Sequence, residues 1–132
     1  MMKKTTLLLT LVVSVMAYAN HEKGHVDVKV GPLTPRAVAG QVAFNQVCAA
    51  CHGVNGQGTK VGPPLIHEIY NPGHHDNASF VRAVKNGVQQ HHWPYGNMPA
   101  QAQVSFSDMA NIIAFVREVQ EQNGIYRQAH NM

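Results

Sequence analysis

The chain holds two cysteines, Cys48 and Cys51, with two residues between them and His52 immediately after. On a helix, side chains three positions apart share a face. Both thiols can therefore add to the two vinyl groups along one side of a porphyrin, and the adjoining imidazole can turn onto its iron. Cys-x-x-Cys-His is the sequence signature of covalent c-type haem attachment. One haem c, held through Cys48 and Cys51 with His52 on the metal, is the expected cofactor. Three other chemistries use paired cysteines. A thioredoxin-like redox pair belongs in a βαβ context, and none is visible. Zinc would require a second ligand pair at characteristic spacing, although nine histidines are on offer. A disulfide would close too short a loop to staple a domain.

An iron held by one imidazole has a second axial position to fill. Of six methionines, Met1, Met2 and Met16 fall in the N-terminal leader, Met132 is terminal, and Met109 lies on the apolar stripe of a helix. Met98 sits in a central loop against Pro99, which makes it the candidate sixth ligand; filling a core gap is the ordinary alternative. A thioether is soft and neutral, so it favours ferrous iron and raises the reduction potential relative to a second imidazole. Two filled axial positions leave no coordination site for oxygen or peroxide. That suits electron transfer and argues against an enzyme. His91 and His92 are competing ligands in the same stretch. Together with His74 and His75 they are also candidates for a surface metal site, for which solvated loop histidines are the simpler reading.

These residues need elements to position them. Thr34-Pro35 is a helix start, with threonine as cap and proline at the first helical position. From there Ala37, Gly40, Phe44, Val47, Cys48 and Cys51 recur at helical spacing and lead straight into the cysteine pair. A second helix is predicted from about Asn77 to Asn86, stopped by Gly87. Ser107-Asp108 opens the clearest one, whose buried stripe is Met109, Ile112, Ile113, Phe115, Val116 and Val119. Gly40 inside a helix costs about 1 kcal/mol against alanine. A close crossing by the last helix would explain it, with Phe44 meeting Ile112 or Phe115. No stretch alternates like a strand and no repeat is present, so the fold class is all-α with long loops. Long irregular connections bury little surface by themselves. A large apolar cofactor at the centre would give them something to wrap.

Over Thr34 to about Gln122 the chain resembles the class I (monohaem) cytochromes c of bacterial type. Gly40-x-x-x-Phe44-x-x-x-Cys48 is similar to the family's first helix. Cys48-Ala-Ala-Cys-His-Gly53, Gly56-Gln-Gly58 and Gly62-Pro-Pro-Leu65 are similar to its haem loop. Asn86-Gly87 and Asn97-Met98-Pro99 resemble its methionine loop, and Ser107 to Val119 its last helix. The resemblance implies a small cytochrome c fold. It also implies that the Pro63 carbonyl accepts a hydrogen bond from the non-ligating N–H of His52 and that Leu65 packs on a haem face. The insert Val88 to Gly96 departs from the family pattern. Within it, Trp93 and Tyr95 are candidate donors to a haem propionate, with simple packing as the alternative.

The chain opens with an export signal: Lys3 and Lys4, an apolar stretch from Leu7 to Met16, and the small-x-small pattern Ala17-Tyr18-Ala19. The expected organisation is a signal peptide over 1–19, a flexible leader over 20–33 and the haem domain over 34–132. The apolar stretch falls short of a bilayer span, so the expectation is a periplasmic protein without stable membrane insertion. Without Lys3 and Lys4 the net charge falls from +3 to +1, which gives no basis for binding nucleic acid. The expected function is a single-electron carrier between larger redox proteins. A haem peroxidase or gas-binding sensor with a displaceable sixth ligand is the alternative, and a metal-binding module using the extra histidines a third reading.

Overall fold

The computed structural model describes residues 25–129. The predicted signal peptide lies outside them. Four α-helices follow in order: α1 (Pro35–Val47), α2 (Ala49–His52), α3 (Asn77–Asn86) and α4 (Phe106–Gln122). Short 3-10 turns occur at Val54–Gly56 and Glu68–Tyr70. The domain is all-α. The one extended pairing among the described residues is an isolated antiparallel bridge between Val88 and Met98.

Local sequence accounts for the helix ends. Thr34 caps α1, its side chain accepting from the Ala37 amide at 3.3 Å, with Pro35 in the first turn. Asp76 caps α3 by accepting from the Ser79 amide at 2.7 Å, and Gly87 ends it at φ 77°. The start of α4 departs from expectation. Ser105, not Ser107, is the cap, and the helix begins at Phe106. Ser105 Oγ accepts from the Asp108 amide at 3.0 Å and donates to Asp108 Oδ2 at 2.6 Å. That reciprocal three-residue spacing beats Ser107, which falls inside the first turn.

The core sits where α1 crosses α4. Ala37, Gly40 and Phe44 form the buried face of α1, and Met109, Ile112, Phe115, Val116, Val119 and Gln120 that of α4. A Cβ on Gly40 would lie 1.9 Å from the Asn111 carbonyl oxygen, so only glycine permits this approach. Phe44 and Phe115 then meet at 5.5 Å between ring centroids, tilted by 54°. The crossing predicted from Gly40 is present, with Phe115 as the partner of Phe44.

Residues 25–33, expected to be a flexible leader, are docked along the domain. Lys29 N–H donates to Asn123 Oδ1 at 2.9 Å, Gly31 N–H to Gln122 Oε1 at 2.7 Å, and Thr34 N–H to Glu118 Oε2 at 3.0 Å. Val28, Val30 and Leu33 pack against the core. These partners lie some 90 residues away in the chain, so the polar local sequence carries no sign of them.

Candidate haem site

One end of the crossing opens into a cavity of about 410 Å³, within the size range of cofactor pockets. Three segments bring the candidate ligands to its wall. Cys48 comes from the junction of α1 and α2, where its amide still bonds the Phe44 carbonyl at 2.7 Å, and His52 from the end of α2. Pro63 and Leu65 come from the loop after it. Met98 comes from the loop before α4. Met109 and Ile112 close the floor, so α4 serves both the core and the cavity. From α3, which has no fully buried residue of its own, Phe80, Ala83 and Val84 face the same space.

His52 is held in one orientation. Its Nδ1 lies 2.9 Å from the Pro63 carbonyl oxygen, so Nδ1–H donates and Nε2 is left with a lone pair. Burial pushes its pKa down, against the opposing pull of that carbonyl. The ring is neutral at physiological pH, as a metal ligand must be. Met98 is fixed through its backbone: its amide and carbonyl exchange two 2.9 Å hydrogen bonds with Val88. Gly87 lies so close beneath that a Cβ there would be 2.6 Å from the Met98 carbonyl oxygen. Cys48 and Cys51 are not joined in a disulfide. Cys48 is half-buried, and burial first, then the neighbouring Cys51, pushes its thiol up to about 11. Cys51 is exposed and does not line the cavity.

The remaining wall suits a porphyrin carrying carboxylates at one edge. Trp93 Nε1 is buried with no hydrogen-bond acceptor, an expense of about 1–3 kcal/mol that a propionate oxygen would offset. Tyr70 also faces the cavity, and burial pushes its hydroxyl up to about 12, partly countered by the nearby Trp93. The two lie close without reaching hydrogen-bond geometry, since the indole N–H stays unpartnered. Tyr95, the other donor named from sequence, instead meets His25 Nδ1 through its hydroxyl at 3.0 Å. Cys48 in the wall with Cys51 three residues on at its margin, a neutral imidazole, a thioether and an orphaned donor around an apolar space fit haem c. The sequence reading missed Tyr70, because a lone tyrosine before a loop carries no local signal.

Two further residues escaped the sequence reading. Gln120, 1% exposed, donates to the carbonyls of Leu65 at 2.9 Å and Tyr70 at 3.0 Å. Arg117 donates to the Tyr70 carbonyl at 2.7 Å, to Asn77 Oδ1 at 2.9 Å and to the His75 carbonyl. Its guanidinium lies 4.7 Å over the Phe80 ring. From one turn of α4 these side chains hold the cavity wall in place. The sequence signal was available: two long polar side chains on the edge of an otherwise apolar helix stripe.

Residues 37–120 match the family model described as cytochrome c. A search of curated proteins finds no match. Among solved structures the fold is similar to the c-type cytochrome XoxG from Methylobacterium extorquens AM1, with 18% identity and a TM-score of 0.54 over 74% of this chain and 57% of that one. The chain thus spans little more than half the length of XoxG. Cytochrome CL from Methylophaga aminisulfidivorans MPT aligns at 24% identity and TM-score 0.47, over 74% of this chain and 69% of its own. Cytochrome cL from Hyphomicrobium denitrificans aligns at 26% and 0.45, over 67% and 51%. Because the matched span runs from the first turn of α1 almost to the end of α4, the chain belongs to the cytochrome c family and carries that family's covalent c-type haem.

Proposed function

We propose that this protein is an exported, periplasmic one-electron carrier with a single haem. Cys48 and Cys51 hold the haem as thioethers, and His52 and Met98 are its axial ligands. The observation that carries the reading is convergence: Cys48, His52 and Met98 line one cavity although they come from segments up to 50 residues apart. The bound group supplies an iron that cycles between ferrous and ferric states. The chain supplies everything that tunes and protects it.

Pro63 holds His52 so that a neutral nitrogen faces the iron and keeps its basicity. The Val88–Met98 bridge holds the thioether against a rigid backbone, so ligands need not rearrange when the charge changes. The apolar wall of Leu65, Phe80, Val84 and Ile112 keeps water from the metal and raises the cost of the extra ferric charge. Trp93 and Tyr70 offer N–H and O–H donors for the propionate edge. The partners are larger redox proteins that donate and accept the electron through weak, short-lived contacts. Among the described residues no helix is long and apolar enough to cross a membrane.

The optical spectrum of the purified ferric protein tests the ligand set. The weak long-wavelength band of a sulfur–iron bond is expected, and it should vanish in Met98→Ala. A ferric spectrum without that band, or tight and rapid carbon monoxide binding by the ferrous protein, would overturn the carrier reading in favour of histidine ligation or a sensor or peroxidase.

A further inference from the structure

At the rim of the haem cavity, whose wall includes His75 and His92, the side chains of His74, His75 and His92 bring one ring nitrogen each within 4.8 Å of one another. We propose that these three imidazoles form a second metal site, distinct from the haem iron, that takes one divalent transition-metal ion of the zinc or copper class. Imidazole nitrogens are the donors such ions prefer, whereas magnesium and calcium favour oxygen.

The geometry is largely preformed. His74 Nε2 and His92 Nε2 lie 3.2 Å apart, close to the roughly 3.3 Å edge of a tetrahedron built on zinc–nitrogen bonds of about 2.0–2.1 Å. His75 already makes the outer contact typical of a metal-bound histidine. Its Nδ1 lies 2.7 Å from the Ile69 carbonyl oxygen, so Nδ1–H donates and the Nε2 lone pair stays available. A small shift of that ring completes three ligands. The fourth position is open to water, with His91 stacked against His75 at 6.0 Å and outside the trio.

The supports on both sides are rigid. His74 and His75 sit on a turn organised by buried Asn71, whose Oδ1 accepts from the Gly73 amide at 2.8 Å and the His74 amide at 3.2 Å. Arg117 grips the His75 carbonyl from α4. His92 stands in the loop closed by the Val88–Met98 bridge and by Gln90 N–H donating to Asn97 Oδ1 at 3.0 Å. A metal ion here ties the 71–75 turn to the Met98 loop across the cavity mouth. Of the other described histidines outside the haem ligand, His25 meets Tyr95 and His67 caps the Ile69 amide.

The test is zinc alone titrated calorimetrically into the haem-loaded protein at neutral pH. One saturable equivalent is expected, weakened more than about tenfold in His74→Ala and His92→Ala and retained in His91→Ala. Unchanged haem absorption in each variant certifies its fold. Zinc should also raise the thermal midpoint of the wild type and leave that of His92→Ala in place. Zinc-edge X-ray absorption should report three imidazole nitrogens. Absence of saturable binding, or equal affinity in the His74 and His92 variants, overturns the site. Neither result bears on how the haem iron is ligated, which the optical spectrum decides.

Discussion

At the α1–α4 crossing, Phe44, Ile112, Phe115, Val116 and Val119 are each at most 3% exposed and meet one another. Across the cavity, Leu65, Phe80 and Val84 are only half-buried and turn their apolar faces into open space. The first region carries its own partners. The second is a wall whose partner is the cofactor. Their difference explains how a small domain tolerates long loops: stability comes from a compact protein crossing on one side and from a covalently tethered ring on the other.

Withholding the haem should separate the two regions most sharply. In Cys48→Ala/Cys51→Ala, amide hydrogen exchange should accelerate strongly over residues 54–75 and 87–99, while α1 and α4 keep the greater share of what protection remains. Equal loss in both regions would break the comparison. On the other side, Gly40→Val forces a side chain into the Asn111 carbonyl. Denaturant unfolding of the haem-loaded protein should lose at least about 3 kcal/mol, and an unchanged midpoint would remove the close crossing from the account.

Gln120→Leu probes the seam between the regions. Leaving the Leu65 and Tyr70 carbonyls without that donor should cost about 1–3 kcal/mol and loosen the wall, read as faster exchange in residues 65–75 with α1 unaffected. The smallest effect belongs to Asp76→Ala, which removes the α3 cap. A loss of about 1 kcal/mol is expected, confined to exchange in the first turn of α3.

The seam and the crossing also differ in how visible they were beforehand. Gly40 signalled its crossing because a glycine in a helix is conspicuous, and Phe44 one turn on pointed to the partner. Thr34 and Gly87 announced helix ends through nearest-neighbour chemistry. The start of α4 was misplaced by two residues because two serines competed and the reciprocal contact to Asp108 decided between them. Gln120 and Arg117 stood out as long polar side chains beside an apolar stripe, but their partners, like the surroundings of Tyr70, lie tens of residues away and stayed hidden. The docked stretch 25–33 stayed hidden for the same reason, since Asn123 and Gln122 supply its contacts from the far end of the chain.

Residue order alone determined the attachment chemistry, because a thiol pair and its imidazole act as neighbours and need only one turn of helix to line up. It also determined the helices, whose periodicity and caps are short-range. Tertiary structure decided which side chains share a wall. It brought Met98 to the cavity of Cys48 and His52, set Trp93 beside it without an acceptor, and gathered His74, His75 and His92 from two loops. Such proximities depend on how distant backbone segments pack, and no local pattern of residues encodes a distance through space.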